Sequence, residues 1–177
     1  RYNLTSELKF ASEWLYPTYA ARYQLQIDTI TQMGETDRDI AIKYAGTIAS
    51  MSNRMKKLNG LLDGFKATDI VGIKQSREDD FLAWLKQDKA ANPKLIAELE
   101  TLLAEQQKQT QTNYYFENAQ SSTLLSTAKK LYRLAQEKQK PDAERESGYQ
   151  ERDMKMFRAE LERIDSSFAV EVDKTLW

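Results

Sequence analysis

Three groups of residues in this 177-residue chain have side chains that could do chemistry, and their spacing sets what each can do. Carboxylates come in pairs at Asp37 and Asp39, at Asp79 and Asp80, and at Glu144 and Glu146. Pairs of this kind can hold metals, but helical di-iron sites are built from Glu-x-x-His units, and the chain has no His. Solvated helix faces and helix caps are therefore the better reading, and no metal or cofactor is assigned. Ser52 and Lys56 stand one helical turn apart, as a Ser-Lys dyad would. An exposed Lys on a helix is usually just solvated, and no oxyanion hole is indicated beside this one. With neither His nor Cys, a Ser-His-Asp or Cys-His device cannot be assembled, so no catalytic residue is assigned.

The third group lies in SMSNRMKKLNGLLDGF, residues 50–65. Met51, Met55, Leu58, Leu62 and Phe65 recur at steps of three and four and form a core stripe. At about 100° per residue, Asn53 falls roughly 160° around the axis from both Met51 and Met55. Gly46 and Gly60 are each seven residues from Asn53 and share its face, with Ser50 and Lys57 completing the row. A glycine inside a helix costs about 1 kcal/mol relative to alanine, and solubility does not require one. On these residues alone, a second packing face within the same bundle ranks first. The sharper reading is a surface that meets another domain or a ligand, with the Asn53 amide as both donor and acceptor.

The elements that position this row follow from composition and periodicity. Apolar residues make up 41% and charged residues 30%, with six Gly and three Pro, a composition poor in turn formers. The net charge of -1 gives no field for a polyanion, which argues against nucleic acid. The longest apolar run, FLAWL at 81–85, is far short of the roughly 18 residues that cross a membrane. Spacing predicts a helix from Ser6, a kink or restart at Pro17, and a stop at Gly34. A helix of roughly 40 Å opens near Thr36 and Asp37 and closes near Gly64.

Thr68 and Asp69 cap the next helix, with Ile70, Ile73, Phe81, Trp84 and Leu85 inward, and Asn92-Pro93 separates it from a helix striped by Leu95, Leu99, Leu102 and Leu103. QQKQTQT at 106–112 reads as either a solvated helix or a loop. The aromatics Tyr114, Tyr115 and Phe116 after it read as packing. Leu124, Ala128, Leu131 and Ala135 mark a further helix. A last one carries Met154, Phe157, Leu161, Ile164 and Phe168, with a restart at Ser166-Ser167. The expected fold is all-α, six or seven helices in an antiparallel bundle, some of them long, forming a single domain over 1–177. With no Met at its start and no signal core, the sequence reads as a segment excised from a larger protein.

Four segments carry a family resemblance: RYNLTSE (1–7), EWLYPTYAARYQ (13–24), KYAGTIASMSNRMKKLNGLLDGF (43–65) and ESGYQERDM (146–154). In that order they resemble the helical domain of the bacterial dipeptidyl-peptidases of serine peptidase family 46, while 93–141 matches only as generic helix. The resemblance implies a parent in which a chymotrypsin-like double β-barrel, absent here, carries the catalytic triad. The helical domain would cover its cleft and limit the enzyme to N-terminal dipeptides.

It also implies that Asn53, within a motif like S-N-x-x-K-N formed here by Ser52, Asn53 and Lys56, helps bind the substrate α-amino group. Lys57 stands where the family has a second Asn, a departure that sets a cation where an ammonium would approach. The implied partners are the catalytic domain of the same parent chain and the N-terminus of a peptide substrate. The implied location is periplasmic or secreted. The rival reading is a free-standing helical interaction module that docks a partner through Gly46, Asn53 and Gly60.

Overall fold

The computed structural model describes residues 3–87, 92, 94–120 and 122–176. The elements are α1 (Thr5–Phe10), a π-helical turn (Ala11–Leu15), α2 (Tyr16–Thr36), α3 (Arg38–Thr68), α4 (Ile70–Gln87), α5 (Lys94–Gln120), α6 (Thr123–Glu137), α7 (Met154–Ser167) and α8 (Val170–Thr175). Short 3-10 turns at Asp142–Glu144 and Glu151–Asp153 connect α6 to α7. The described residues contain no strand, and the fold is all-α.

Pro17 neither breaks nor restarts its helix. A proline ring clashes with the carbonyl four residues earlier and offers no N–H, and the wider π turn just before it accommodates both defects. Gly34 likewise does not end α2, which runs on to Thr36. A Cβ there would stand 3.1 Å from that of Ala41, so the glycine permits close approach of the next helix. Asp37 opens α3 as expected, its Oδ1 accepting from the N–H of Asp39 at 2.9 Å and of Ile40 at 3.4 Å.

Helix α3 passes through Gly64 and ends at Thr68, because the left-handed residue that stops it is Asp69, at φ 44°. The Asp69 carboxylate then caps α4 through the Gly72 N–H at 3.3 Å. Asn92 opens α5, its Oδ1 accepting from the Lys94 N–H at 3.1 Å, while Pro93 lies outside the described residues. QQKQTQT is helical within α5, and Thr110 and Thr112 donate to carbonyls one turn earlier. The restart expected at Ser166-Ser167 is the break between α7 and α8.

The chain forms two compact units, Arg1–Ile27 with Thr47–Tyr114, and Asp28–Gly46 with Tyr115–Trp177. Their cores are small. In the first, Leu4, Ala20, Met51 and Leu85 are buried, beside an aromatic cluster. Phe10 stacks on Trp14 at 5.2 Å, Tyr114 meets Trp14 and Tyr19 edge-on at 5.7 and 5.3 Å, and Arg22 lies over the Tyr114 ring at 5.9 Å. Of the three aromatics expected to pack at 114–116, Tyr114 does so, whereas Tyr115 and Phe116 are exposed. The second unit buries Ile30, Ile40, Met154 and Val172.

Two expected stripes are corrected. On α4, Leu85 is buried, but Ile73, Phe81 and Trp84 are exposed, the last two stacked on each other at 5.8 Å. On α5, Leu95, Leu99 and Leu102 face outward. Three-four spacing identifies a helix, whereas the face that turns inward depends on what packs there. For α4 the inward face carries Glu78, which accepts from the Thr5 N–H at 2.9 Å at the start of α1.

Candidate functional site

Helix α3 presents two opposite faces. Met51 is buried and Met55, Leu58, Leu62 and Phe65 are half-buried, so the expected stripe turns inward. On the other side Gly46, Ser50, Asn53, Lys57 and Gly60 are all exposed. A Cβ added at Gly46 or at Gly60 would meet nothing within 4 Å. Among the described residues, then, no other backbone approaches these two glycines. The Asn53 amide makes no hydrogen bond among the described residues, leaving its carbonyl oxygen and both N–H groups free.

Beside this row, Tyr16, Tyr19 and Tyr23 of α2 and Arg54, Lys57 and Leu58 of α3 line a groove of about 410 Å³. Relative to Asn53, which does not itself line the groove, Lys57 lies about 40° around the helix and Arg54 about 100°. Arg54 and Lys57 are exposed and form no ion pair with a described residue. Ser52 and Lys56 make no hydrogen bond to each other, and the structure does not bring them together as a dyad.

The carboxylate pairs are caps and surface ties. Asp37 caps α3, and Asp79 accepts from the Gln75 side chain at 3.0 Å. Glu146 forms a two-pronged pair with Arg133, Nε to Oε2 at 3.2 Å and a shorter bond from Nη2 to Oε1. Among the described residues no three metal-ligating carboxylates converge, and no helix is long and apolar enough to cross a membrane.

Three carboxylates that the sequence reading passes over are buried: Glu78, Glu137 and Asp173. Glu137, only 1% exposed, holds Lys140 Nζ at 2.7 Å, lies 3.5 Å from Arg133 and accepts from the Glu146 N–H at 2.9 Å. The Lys140 hydrogen bond, followed by that backbone N–H, keeps its carboxyl below the usual glutamate range. Glu146, in turn, raises the pKa of the Arg133 guanidinium through its hydrogen bond and charge. Asp173 of α8 caps α6 from outside that helix. It accepts from Ser122 Oγ at 2.5 Å and from the N–H groups of Thr123 and Leu124 at 2.8 and 3.2 Å. Cations at i−4 and i+3 of Glu137 are a signal in the sequence, but none marks Asp173 or Glu78.

A profile of the peptidase S46 family matches residues 1–177. This chain belongs to the peptidase S46 family. It is 77% identical over 177 residues to an Asp/Glu-specific dipeptidyl-peptidase of Shewanella putrefaciens, covering all of this chain and 24% of that relative. It is 33% identical over 106 residues to an Asp/Glu-specific dipeptidyl-peptidase of Flavobacterium psychrophilum, 56% of this chain and 15% of the relative. A dipeptidyl-peptidase 7 of Capnocytophaga gingivalis is 22% identical over 102 residues, 56% of this chain and 14% of its own. The S46 chain thus spans about a quarter of the length of its Shewanella relative.

Proposed function

We propose that this chain is the helical, substrate-gating domain of an S46 dipeptidyl-peptidase, and that Asn53 helps hold the free α-amino group of the peptide. The observation that carries the reading is the open row on α3, where an exposed, unbonded Asn53 stands between two glycines whose faces meet nothing. A neutral carbonyl accepts from an ammonium without placing a second charge beside it, and fixing that amine measures two residues to the scissile bond. The catalytic groups would come from the remainder of the parent, since this chain has no His or Cys with which to build them. The Asp/Glu specificity named for two relatives is the first preference to assay in this parent, and the family resemblance suggests a periplasmic or secreted enzyme.

The test is Asn53→Ala in the full-length parent with dipeptidyl substrates. Loss of a hydrogen bond to a charged group predicts a fall in kcat/KM of at least about ten-fold. Wild-type turnover would remove Asn53 from the amine site. Activity retained inside spheroplasts after osmotic shock would overturn the periplasmic location.

A further inference from the structure

Helix α6 sits in the second unit with its polar side inward. At about 100° per residue, Ser126, Lys130, Arg133 and Glu137 share one side of the helix. Ionic and charge-assisted bonds dock that side: Lys130 to Glu160 of α7, Arg133 to Glu146, and Glu137 to the Glu146 N–H at 2.9 Å. About 180° around the axis, Leu124, Leu125, Ala128, Leu131, Tyr132 and Ala135 form an apolar arc roughly 120° wide. All six are exposed, Leu125 at 56% and Tyr132 at 66%. A helix at a protein surface ordinarily shows the reverse, with its apolar stripe toward the core and its charges toward water. The polar side of α6 is already spent on holding the helix in place, so the arc contributes nothing to the unit itself. Beside the arc, Leu125, Tyr132, Arg133 and Tyr149 line a groove of about 730 Å³, with room for the side chains of a covering surface.

Two kinds of cover differ in their chemistry. A second copy would set α6 against α6 about a twofold axis, antiparallel, and bring Lys129 at the edge of the arc beside its own counterpart. Other parts of the same parent repeat no such charge. A relative of which this chain covers 24% leaves about three quarters of such a parent outside these 177 residues. We propose that the outward face of α6 is an internal interface of the full-length enzyme, covered by an apolar surface from a segment of the same parent chain beyond these residues. The proposal goes beyond the amine site and needs nothing from Asn53.

The experiment puts a benzophenone side chain in place of Tyr132 in the purified full-length parent and maps the photo-adducts by peptide mass spectrometry. The expected adduct lies within one chain and joins position 132 to a peptide outside these 177 residues. Leu131→Glu should lower its yield at least about five-fold, because a carboxylate is driven into an apolar contact, with circular dichroism checking that the helices remain.

An adduct joining two chains would give the face to a second copy and overturn the proposal. Adducts confined to residues 1–177, no adduct at all, or a yield unchanged in a folded Leu131→Glu variant would overturn it as well. The map with Tyr132 replaced decides even if Leu131→Glu fails to fold. None of these results bears on the amine site, since Asn53 belongs to the other unit.

Discussion

The outer row of α3 and the joints of the second unit use similar residues for opposite ends. Asp173 and Glu137 are buried, and their carboxylate oxygens all meet a donor: Ser122, Thr123 and Leu124 for one, Lys140, Arg133 and Glu146 for the other. Asn53, on a longer helix, has an amide with no hydrogen-bond partner among the described residues, between glycines where an added Cβ would meet nothing within 4 Å. A buried polar group is costly unless it is bonded, so the joints must be satisfied within the chain or the fold weakens. An exposed amide is satisfied by water and is free to exchange that water for a ligand. The difference separates residues that hold this chain together from residues available to something outside it, and substitutions on each side should move different measurements.

The largest effect is expected at Asp173. Asp173→Ala leaves the Ser122 hydroxyl and two first-turn N–H groups of α6 without their acceptor, a loss of about 2–3 kcal/mol. For a chain of this size that lowers Tm by roughly 4–12 °C, readable by circular dichroism. A shift below about 1 °C would show that α6 does not depend on this cap and would erase the contrast with α3.

Glu137 gives the same side of the comparison a pH signature. Its folded pKa is depressed, chiefly by the Lys140 hydrogen bond, so the unfolded chain takes up a proton first as the solution is acidified. The stability it contributes is fully present above the ordinary glutamate pKa of about 4.3 and is lost as pH falls below that value through the folded pKa. Glu137→Gln should lower Tm at pH 7 and flatten the decline of Tm below about pH 4.3. Parallel curves for the two proteins would show that Lys140 and Glu146 do not bind the charged form.

These joints were also the least legible part of the sequence. The helices and the inward stripe of α3 follow from three-four spacing, and the caps at Asp37 and Asp69 follow from residue type. The exposed row on α3 was legible as a pattern, because 100° per residue places Gly46, Asn53 and Gly60 opposite Met51 whatever packs elsewhere. Asp173 caps a helix 51 residues away in sequence, and Glu78 reaches across 73, so no local period encodes either. The outward Leu95, Leu99 and Leu102 failed for a related reason. Periodicity marks an apolar face, but burying it needs a partner surface that one helix does not specify.

On the open side the effects should be smaller and of opposite sign. Gly60→Ala adds a Cβ that meets nothing and removes the helix-interior penalty of glycine, a gain of about 1 kcal/mol that raises Tm by about 2–4 °C. In the full-length parent the same methyl should lower kcat/KM if α3 faces the catalytic cleft there. A stabilised and fully active parent would instead mean that this face meets nothing in the whole protein.

The smallest shift, and the most discriminating, is expected for Asn53→Ala in this chain. If the amide packed against other elements, truncating it would leave orphaned partners and cost 1 kcal/mol or more. With no hydrogen bond to lose, only helix propensity remains, and alanine exceeds asparagine there by a few tenths of a kcal/mol. Tm should therefore rise, by up to about 2 °C, while the parent enzyme loses turnover. The opposed signs carry the argument: a residue whose removal stabilises the fold and harms catalysis is retained for what it binds. A fall in Tm of more than about 2 °C would place Asn53 with Asp173, among the residues that hold the chain together.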